Sequence, residues 1–248
     1  EREYARGVEI LCVMVLCALT LSAAGRVELA IEVGRVTRRR MDRVRPELRG
    51  RFLYSVEGFL RHLDEPMRSS PPLLLTAAVE SRQARDTAYE GYSLLARVSM
   101  LDWLGEPIDE INTLNNQVAS TSALMLNRQL TDWIAVMRSL QPMLQVPGDR
   151  DAQPALHTVQ SKAAMCYLIA VKLRGMAYGV WPGPCSAEAY GMPALLKLRM
   201  GGGGIFYEGS AYFFAGLVYL AALRGRLSVA DRLHFRAAAE YARSKVRT

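Results

Sequence analysis

The sequence is poor in the residue patterns that build metal sites and catalytic centres. It has four cysteines and three histidines in 248 residues, and no two cysteines form a CxxC pair. A phosphate-binding loop needs GxxxxGK followed by Ser or Thr, but the glycine run at 201–204 is followed directly by Ile205 rather than by a lysine. The sequence also contains no G-x-S-x-G nucleophile elbow. We therefore predict a protein that is not an enzyme and that carries no cofactor and no metal.

Runs of β-branched residues with strict alternation are also scarce, whereas Ala, Leu, Met and Arg are abundant. This composition favours an all-α fold. Three of the cysteines, Cys12, Cys17 and Cys166, lie in apolar segments with a helix-like pattern. Unpaired thiols of this kind suit a reducing compartment, so we expect a cytoplasmic location. Residue 1 is Glu rather than Met, so we expect a processed chain or part of a larger one.

The chain is organised around a predicted helix hairpin at 89–111. Apolar and small residues from Tyr92 to Trp103 follow the three-and-four spacing of one helix face. Gly105 can adopt the left-handed conformation of a helix C-terminus, and Pro107 can open a second helix. We predict the same helix–turn–helix unit elsewhere in the chain.

Similar turns recur at Gly25, Gly105, Gly175 and Gly225, each between an apolar helix end and a new apolar stripe. The first two intervals, of 80 and 70 residues, would each fit two hairpins of roughly 34 to 40 residues. This period predicts antiparallel helix hairpins stacked as a tetratricopeptide-like (TPR-like) α-solenoid. We expect one helical-repeat domain over residues 1–248, which the Pro-rich segment 141–154 could divide into two lobes.

Three local features carry further predictions. The segment Ile10–Leu21 is apolar on all sides; we interpret it as a core helix, with a membrane or export segment as the alternative. Ser69 and Ser70 before Pro71 predict a capped helix start. The last helix is expected to place Leu233, Ala237 and Tyr241 on its buried side. Residues 176–204 give no clear pattern.

The strongest charge concentration is a run of arginines early in the chain, in a protein of formal net charge +7. No aromatic residue interleaves the run, and Pro46 divides it between two helices, which argues against a nucleic-acid site. We expect a basic surface that is either a solvated rim or a contact with an acidic partner domain. Its residues are Arg38, Arg39, Arg40, Arg43, Arg45, Arg49 and Arg51.

Aromatic residues near the start of two predicted helices are candidate partner contacts. In a stack of hairpins, the first helix of each hairpin lines the binding groove. Four tyrosines would then face a protein partner: Tyr89, Tyr92, Tyr207 and Tyr212. The alternative is that these rings fill the core between hairpins.

The pattern and order of several motifs resemble the helical-repeat region of bacterial STAND-class signalling ATPases, which include kinase/ATPase hybrids and MalT-like regulators. The resemblance covers roughly residues 52–223. Its motifs are FLRH at 59–62 followed by Pro66, AYEGYS at 88–93, WLGEPIDEI at 103–111 and FYEGSAY at 206–212. The chain departs from the pattern around 179–204. The resemblance implies a sensor or scaffold arm that binds an inducer or a protein partner and controls a nucleotide switch located outside this chain.

We therefore predict a non-catalytic interaction or sensor module that regulates a signalling ATPase, kinase or transcription regulator. Its partner would be a protein, or other domains of a larger chain, with a small-molecule inducer left open. One alternative is a compact helical domain whose Trp103, Trp133 and Phe213 enclose a small apolar ligand. The other is a membrane-associated protein anchored by Ile10–Leu21.

Overall fold

A computed structural model describes residues 13–22, 24–120, 130–137, 162–177, 208–224 and 228–246. These residues form α-helices joined by turns and short 3₁₀ segments, and they contain no β-strand. The prediction of an all-α fold is thereby confirmed for the described part of the chain. Contacts between residues divide the described part of the chain into two compact units. Unit 1 consists of the described residues up to Ile134, and unit 2 consists of those from Ala135 onwards.

Among the described residues, unit 1 contains α1 to α6, and α7 continues past its boundary at Ile134. These helices are α1 (13–22), α2 (Val27–Arg38), α3 (Pro46–Phe59), α4 (Ser70–Gln83), α5 (Thr87–Leu104), α6 (Ile108–Ser120) and α7 (130–137). Helices α3, α4 and α5 each pack against the next helix in the chain, and α3 also contacts α5. One apolar core joins α1 to α3 through Val15, Ala18, Phe52 and Val56.

The central hairpin has the predicted geometry. Helix α5 ends at Leu104, and Gly105 follows with φ 79° and ψ 28°, the left-handed conformation of a glycine C-cap. The N–H of Glu106 then donates to the carbonyl of Leu101 at 3.1 Å, which satisfies one of the free carbonyls at the helix end. Pro107 precedes α6, whose first residue is Ile108.

Helices α3 and α4 approach each other closely at Gly50. A Cβ atom on Gly50 would lie 2.7 Å from the backbone nitrogen of Ser81 and 2.8 Å from the carbonyl oxygen of Ala77. These distances are well inside van der Waals contact, so only glycine fits there. The close approach fixes α4 against α3 and thereby the position of α5, which follows α4 after a three-residue turn.

That turn, between α4 and α5, has an unusual backbone. Arg85 has a positive φ of 58°, which is uncommon for a residue other than glycine. The N–H of Asp86 donates to the carbonyl of Ser81 at 2.8 Å, and the Asp86 side chain accepts from the N–H of Tyr89 at 3.3 Å. Asp86 is therefore the N-cap of α5 and sets where that helix begins.

Unit 2 contains α8 (Lys162–Ala177), α9 (Glu208–Ala222) and α10 (Val229–Val246). Helix α9 packs against both α8 and α10. The part of α8 with described side chains is almost wholly buried from Tyr167 to Leu173. The buried face of α10 consists of Phe235, Ala238, Ala239 and Ala242.

Three local predictions are wrong. Helix α8 continues through Gly175 to Ala177, so the predicted turn at Gly175 is not formed. Leu233 is 64 % exposed and Ala237 is exposed, so the buried stripe of α10 starts at Phe235 rather than Leu233. Ser69 precedes α4, but its hydroxyl makes no capping hydrogen bond. Instead that hydroxyl donates to the carbonyl of Pro66 at 2.8 Å and accepts from Arg61 at 2.9 Å.

The apolar segment predicted at 10–21 is described from residue 13 onwards. Val15 and Ala18 of α1 are buried in the core of unit 1, whereas Val13 and Leu16 are exposed. Among the helices of the described ranges, none has the length and apolar character needed to cross a membrane. The predicted division at 141–154 and the region 178–204 lie outside the described residues.

Candidate functional site

Four aromatic rings form a cluster where α3 meets α5, and we call it the tyrosine cluster: Tyr54, Phe59, Tyr89 and Tyr92. Tyr54 lies at its centre. Its ring centroid is 5.5 Å from Phe59, 5.6 Å from Tyr89 and 5.9 Å from Tyr92. Tyr89 and Tyr92 also meet edge to face at 5.7 Å. Such distances are typical of favourable aromatic pairs, each worth about 0.5–1.5 kcal/mol beyond area burial.

A charged pair borders the tyrosine cluster. The guanidinium carbon of Arg51 lies 5.1 Å from the centroid of the Tyr89 ring, in cation–π range. Arg51 also donates from Nε to the carboxylate of Asp86. Asp86 thus holds Arg51 through one oxygen and caps the helix that carries Tyr89 and Tyr92 through the other. This carboxylate therefore helps to position Tyr89 and the start of α5 beside Arg51.

The four rings of the cluster are each half-buried. Burial raises the pKa of Tyr54 above its ordinary value, with the neighbouring Tyr89 and Tyr92 as smaller causes. The cluster therefore packs α3 against α5, and each of its four residues keeps part of its surface accessible to solvent. The packing of these rings agrees with the core-filling interpretation, and the role of Tyr89 and Tyr92 as partner contacts stays a prediction.

The other two predicted contact tyrosines lie near the start of α9. Tyr207 lies outside the described residues. Tyr212 belongs to unit 2, is 3 % exposed and meets the ring of Tyr241 edge to face at 5.9 Å. Its packing between α9 and α10 accounts for its position, and its role as a partner contact stays a prediction.

Three of the seven predicted surface arginines form ion pairs within unit 1. Arg38 contacts Asp64 at 2.9 Å and Glu65 at 2.5 Å. Arg49 lies 3.8 Å from Glu80. Together with the pair of Arg51 and Asp86, these contacts connect the basic run to the turn after α3, to α4 and to the turn after α4.

The remaining four arginines are exposed and form no ion pair with any described residue: Arg39, Arg40, Arg43 and Arg45. They cluster around the 3₁₀ segment Met41–Arg43, just before α3. The predicted basic surface is therefore reduced from seven arginines to the four in and around this short turn. Whether it is a solvated rim or a contact with an acidic domain stays open at this point.

Two titratable groups near the end of α3 have shifted pKa values. Burial lowers the pKa of His62 to about 4, so its imidazole is neutral at pH 7. Burial also raises the pKa of Glu57, and the neighbouring Arg61 partly offsets the rise. Arg61 donates to both Glu57 oxygens at 3.2 Å and pairs with Glu65 at 2.7 Å. Glu57 is thus the buried partner of Arg61, a sufficient structural role.

The three aromatic residues of the alternative ligand site are divided between the two units, and that site stays a prediction. Trp133 is buried in unit 1, where its Nε1 donates to the Ser99 hydroxyl at 3.2 Å. Phe213 is 51 % exposed and belongs to unit 2. No group of three or more His, Cys, Asp or Glu residues in the described ranges is placed to hold a metal ion.

Sequence reasoning found Tyr89 and Tyr92 but missed Tyr54 and Asp86. One signal could have identified Tyr54, because it precedes Tyr89 by 35 residues, the length of one predicted hairpin. Comparisons of the chain with protein-family models, curated proteins and solved structures found no match.

Proposed function

We propose that this protein is a non-catalytic helical-repeat module that binds a protein partner through the tyrosine cluster on α3 and α5. The single observation that carries the proposal is the position of Tyr54, Tyr89 and Tyr92. They lie on the first helices of two successive hairpins and share one partly exposed face. Tyrosines are enriched where protein interfaces concentrate their binding energy.

The packing order supports a TPR-like arrangement of α3 to α6. Helix α3 packs against α4, α5 packs against α6, and α3 also contacts α5. In a solenoid of helix hairpins, first helices pack beside first helices in this way. Tyr54 and Tyr89 are 35 residues apart, and Pro71 and Pro107 at the starts of the second helices are 36 apart. These spacings match the repeat length of such arrays.

Two features of the cluster suit recognition of a partner. The rings are held by aromatic contacts and by the Asp86 cap, so little conformational entropy is lost when a partner binds. Arg51 adds a cation beside the Tyr89 ring. We therefore expect the partner to present apolar or aromatic side chains flanked by a carboxylate.

The exposed arginines around Met41–Arg43 supply a second contact, with an acidic domain. This part of the proposal predicts partner binding that weakens as salt increases, because exposed charges are screened. The resemblance to STAND-class ATPases adds that the partner is, or controls, a nucleotide switch. A full open reading frame that encodes a nucleotide-switch domain beside this chain would support that extension, and one without such a domain would remove it.

Affinity capture followed by a binding measurement tests the proposal. The full chain is used to capture proteins from an extract of its source, in parallel with the double variant Tyr89→Ala/Tyr92→Ala and a control double variant, Leu75→Ala/Val79→Ala. Leu75 and Val79 are exposed apolar residues on α4, outside the cluster. A protein captured by the wild type is purified, and its dissociation constant is measured by titration calorimetry.

We expect the cluster variant to weaken binding by at least about tenfold at a temperature where it is still folded. Its thermal unfolding midpoint should fall, because the substitutions remove the aromatic pairs of Tyr89 and Tyr92. The control variant should bind as the wild type does. Equal binding by all three proteins would contradict the proposal. A different pair of results would assign the rings to the core. In that case the cluster variant would fail to fold, and both Tyr89→Phe/Tyr92→Phe and Tyr54→Phe would bind with full affinity.

A further inference from the structure

Unit 2 contains an apolar groove along α9 and α10 that the proposed function does not use. Helix α9 places Phe213, Leu217 and Leu220 on the groove at i, i+4 and i+7, and all three are exposed, at 51 %, 41 % and 53 %. Leu223 extends the same stripe by one further turn. An exposed apolar patch of this length on a helix marks a binding surface more often than a random surface feature.

The groove exists because small side chains separate the two helices. A Cβ atom on Gly216 would lie 3.8 Å from the Cβ of Ala242, so α9 and α10 meet there with almost no side-chain volume between them. Ala239 continues this floor. The larger side chains on either side stand above the floor and enclose a volume of about 520 Å³, within the range of small-molecule sites.

The second wall of the groove is basic. Arg232, Arg236 and Arg243 line it from α10, spaced by four and seven residues along one side of the helix. Glu240 is the one acidic lining residue among those described, and it lies 3.6 Å from Arg236 with both side chains exposed. The wall therefore keeps an excess of positive charge beside an apolar stripe.

From this combination we infer that the α9–α10 groove binds a single-chain anionic amphiphile, a free long-chain carboxylate. The acyl chain lies along Phe213, Leu217 and Leu220, over the floor formed by Gly216 and Ala239. The carboxylate is held by guanidinium groups of α10, which can donate two parallel hydrogen bonds to it. The aliphatic stems of the same arginines cover the chain from one side.

The length of the groove agrees with this ligand class. Phe213 and Leu223 are ten residues apart on α9, which corresponds to roughly 15 Å along a helix. An extended long acyl chain spans a comparable distance, whereas a compact apolar molecule would leave part of the stripe uncovered. The inference is independent of the tyrosine cluster, since every lining residue belongs to unit 2, and its failure would leave the proposed function untouched.

The test uses the full chain and cis-parinarate, a fluorescent long-chain carboxylate, below its micelle concentration. We expect saturable one-to-one binding that is displaced by an unlabelled carboxylate, less well by the alcohol of matched chain length and least by the matched amine. Leu217→Asp should weaken binding by about tenfold or more, because it introduces a carboxylate into the apolar stripe beside the ligand. Arg236→Glu should weaken carboxylate binding and abolish the preference over the alcohol.

Leu233→Asp is the matched control, because Leu233 is also exposed, on α10, but does not line the groove. It should bind cis-parinarate as the wild type does, and circular dichroism should give the same helix content for all variants. Absence of saturable binding, equal loss in Leu217→Asp and Leu233→Asp, or no head-group preference would each overturn the inference.

Two further experiments test whether the apolar face of the α9–α10 groove binds a membrane or a second copy of the chain instead. Co-sedimentation with phosphatidylglycerol vesicles that is lost in Leu217→Asp, without binding of free carboxylate, would assign the face to a membrane surface. Dimerisation in sedimentation velocity runs that is lost in the same variant, again without carboxylate binding, would assign it to a second copy of the chain. Either result would overturn the inference.

Discussion

Asp86 and Tyr89 are joined by a hydrogen bond that connects the start of α5 to the tyrosine cluster. The carboxylate accepts the Tyr89 backbone N–H at 3.3 Å and also holds Arg51, whose guanidinium lies over the Tyr89 ring. One side chain thus caps a helix, positions a cation and orients an aromatic ring. The folding of the turn and the geometry of the proposed site are coupled through it.

Removing the Asp86 carboxylate should therefore cost more than removing its ionic partner. Asp86→Ala loses the cap as well as the ion pair, and we expect the free energy of unfolding to fall by about 1–2 kcal/mol. Arg51→Ala keeps the cap and should cost less than about 1 kcal/mol, because Arg51 is half exposed to solvent. Asp86→Asn keeps a capping oxygen and should resemble Arg51→Ala. Urea unfolding of the three variants measures this order, and equal losses would contradict the capping role.

The two glycines of α3 should respond in opposite directions to alanine. Gly50→Ala places a methyl group against the backbone of Ser81 and Ala77, so we expect a loss of about 1–3 kcal/mol of stability as α3 and α4 are forced apart. Gly58 lies in the same helix, but a Cβ atom there would contact only the Tyr54 ring, at 3.8 Å. Gly58→Ala should stabilise the protein by about 0.5–1 kcal/mol. Thermal or urea unfolding of both variants measures these changes in stability. A destabilised Gly58→Ala would show that the Tyr54 ring cannot accommodate the methyl group.

Burial of His62 predicts a loss of stability on mild acidification. Its pKa is about 4 in the folded protein, against about 6.5 in an unfolded chain. Between these values the unfolded state binds more protons, so the stability contributed by the neutral imidazole is present above pH 6.5 and is lost as the pH falls towards 4. At 1.36 kcal/mol for each pKa unit, the loss amounts to at most about 3 kcal/mol.

The control for that prediction is His62→Phe, which has no titratable group at the same site. The difference in unfolding free energy between wild type and variant should change by up to about 3 kcal/mol between pH 7 and pH 4, with the wild type losing more. Denaturant unfolding at several pH values measures this difference. Asp64, whose pKa is lowered chiefly by its hydrogen bond from Arg35, should affect stability only at still lower pH. A pH-independent difference would show that His62 is protonated as easily in the folded state as in the unfolded one.

Local sequence patterns predicted the central helices well because their signals are local. The α5 stripe and the Gly105 terminus depend on residues within one or two turns of each other, and both were confirmed. The α10 stripe was wrong because Leu233 and Phe235 both begin plausible apolar series. Only contact with α9 selects the series of Phe235, Ala238 and Ala242.

The partners of the arginines could not be predicted from the sequence. Arg38 meets Glu65 across 27 residues and Arg51 meets Asp86 across 35, so the pairs exist only after the helices have packed. The tyrosine cluster was predicted in part, since Tyr89 and Tyr92 lie on one helix. Tyr54 required the contact of α3 with α5, which in turn requires the close approach at Gly50.

The most direct test of the tyrosine cluster as a partner-binding site is site-specific photo-crosslinking in cells. A photoreactive phenylalanine analogue replaces Tyr89 or Tyr92 in the full chain, and Val79 on α4 serves as the exposed control position. We predict one discrete adduct with the same partner from Tyr89 and Tyr92, and none from Val79. No adduct at either tyrosine, or an adduct at Val79 alone, would contradict the proposed function.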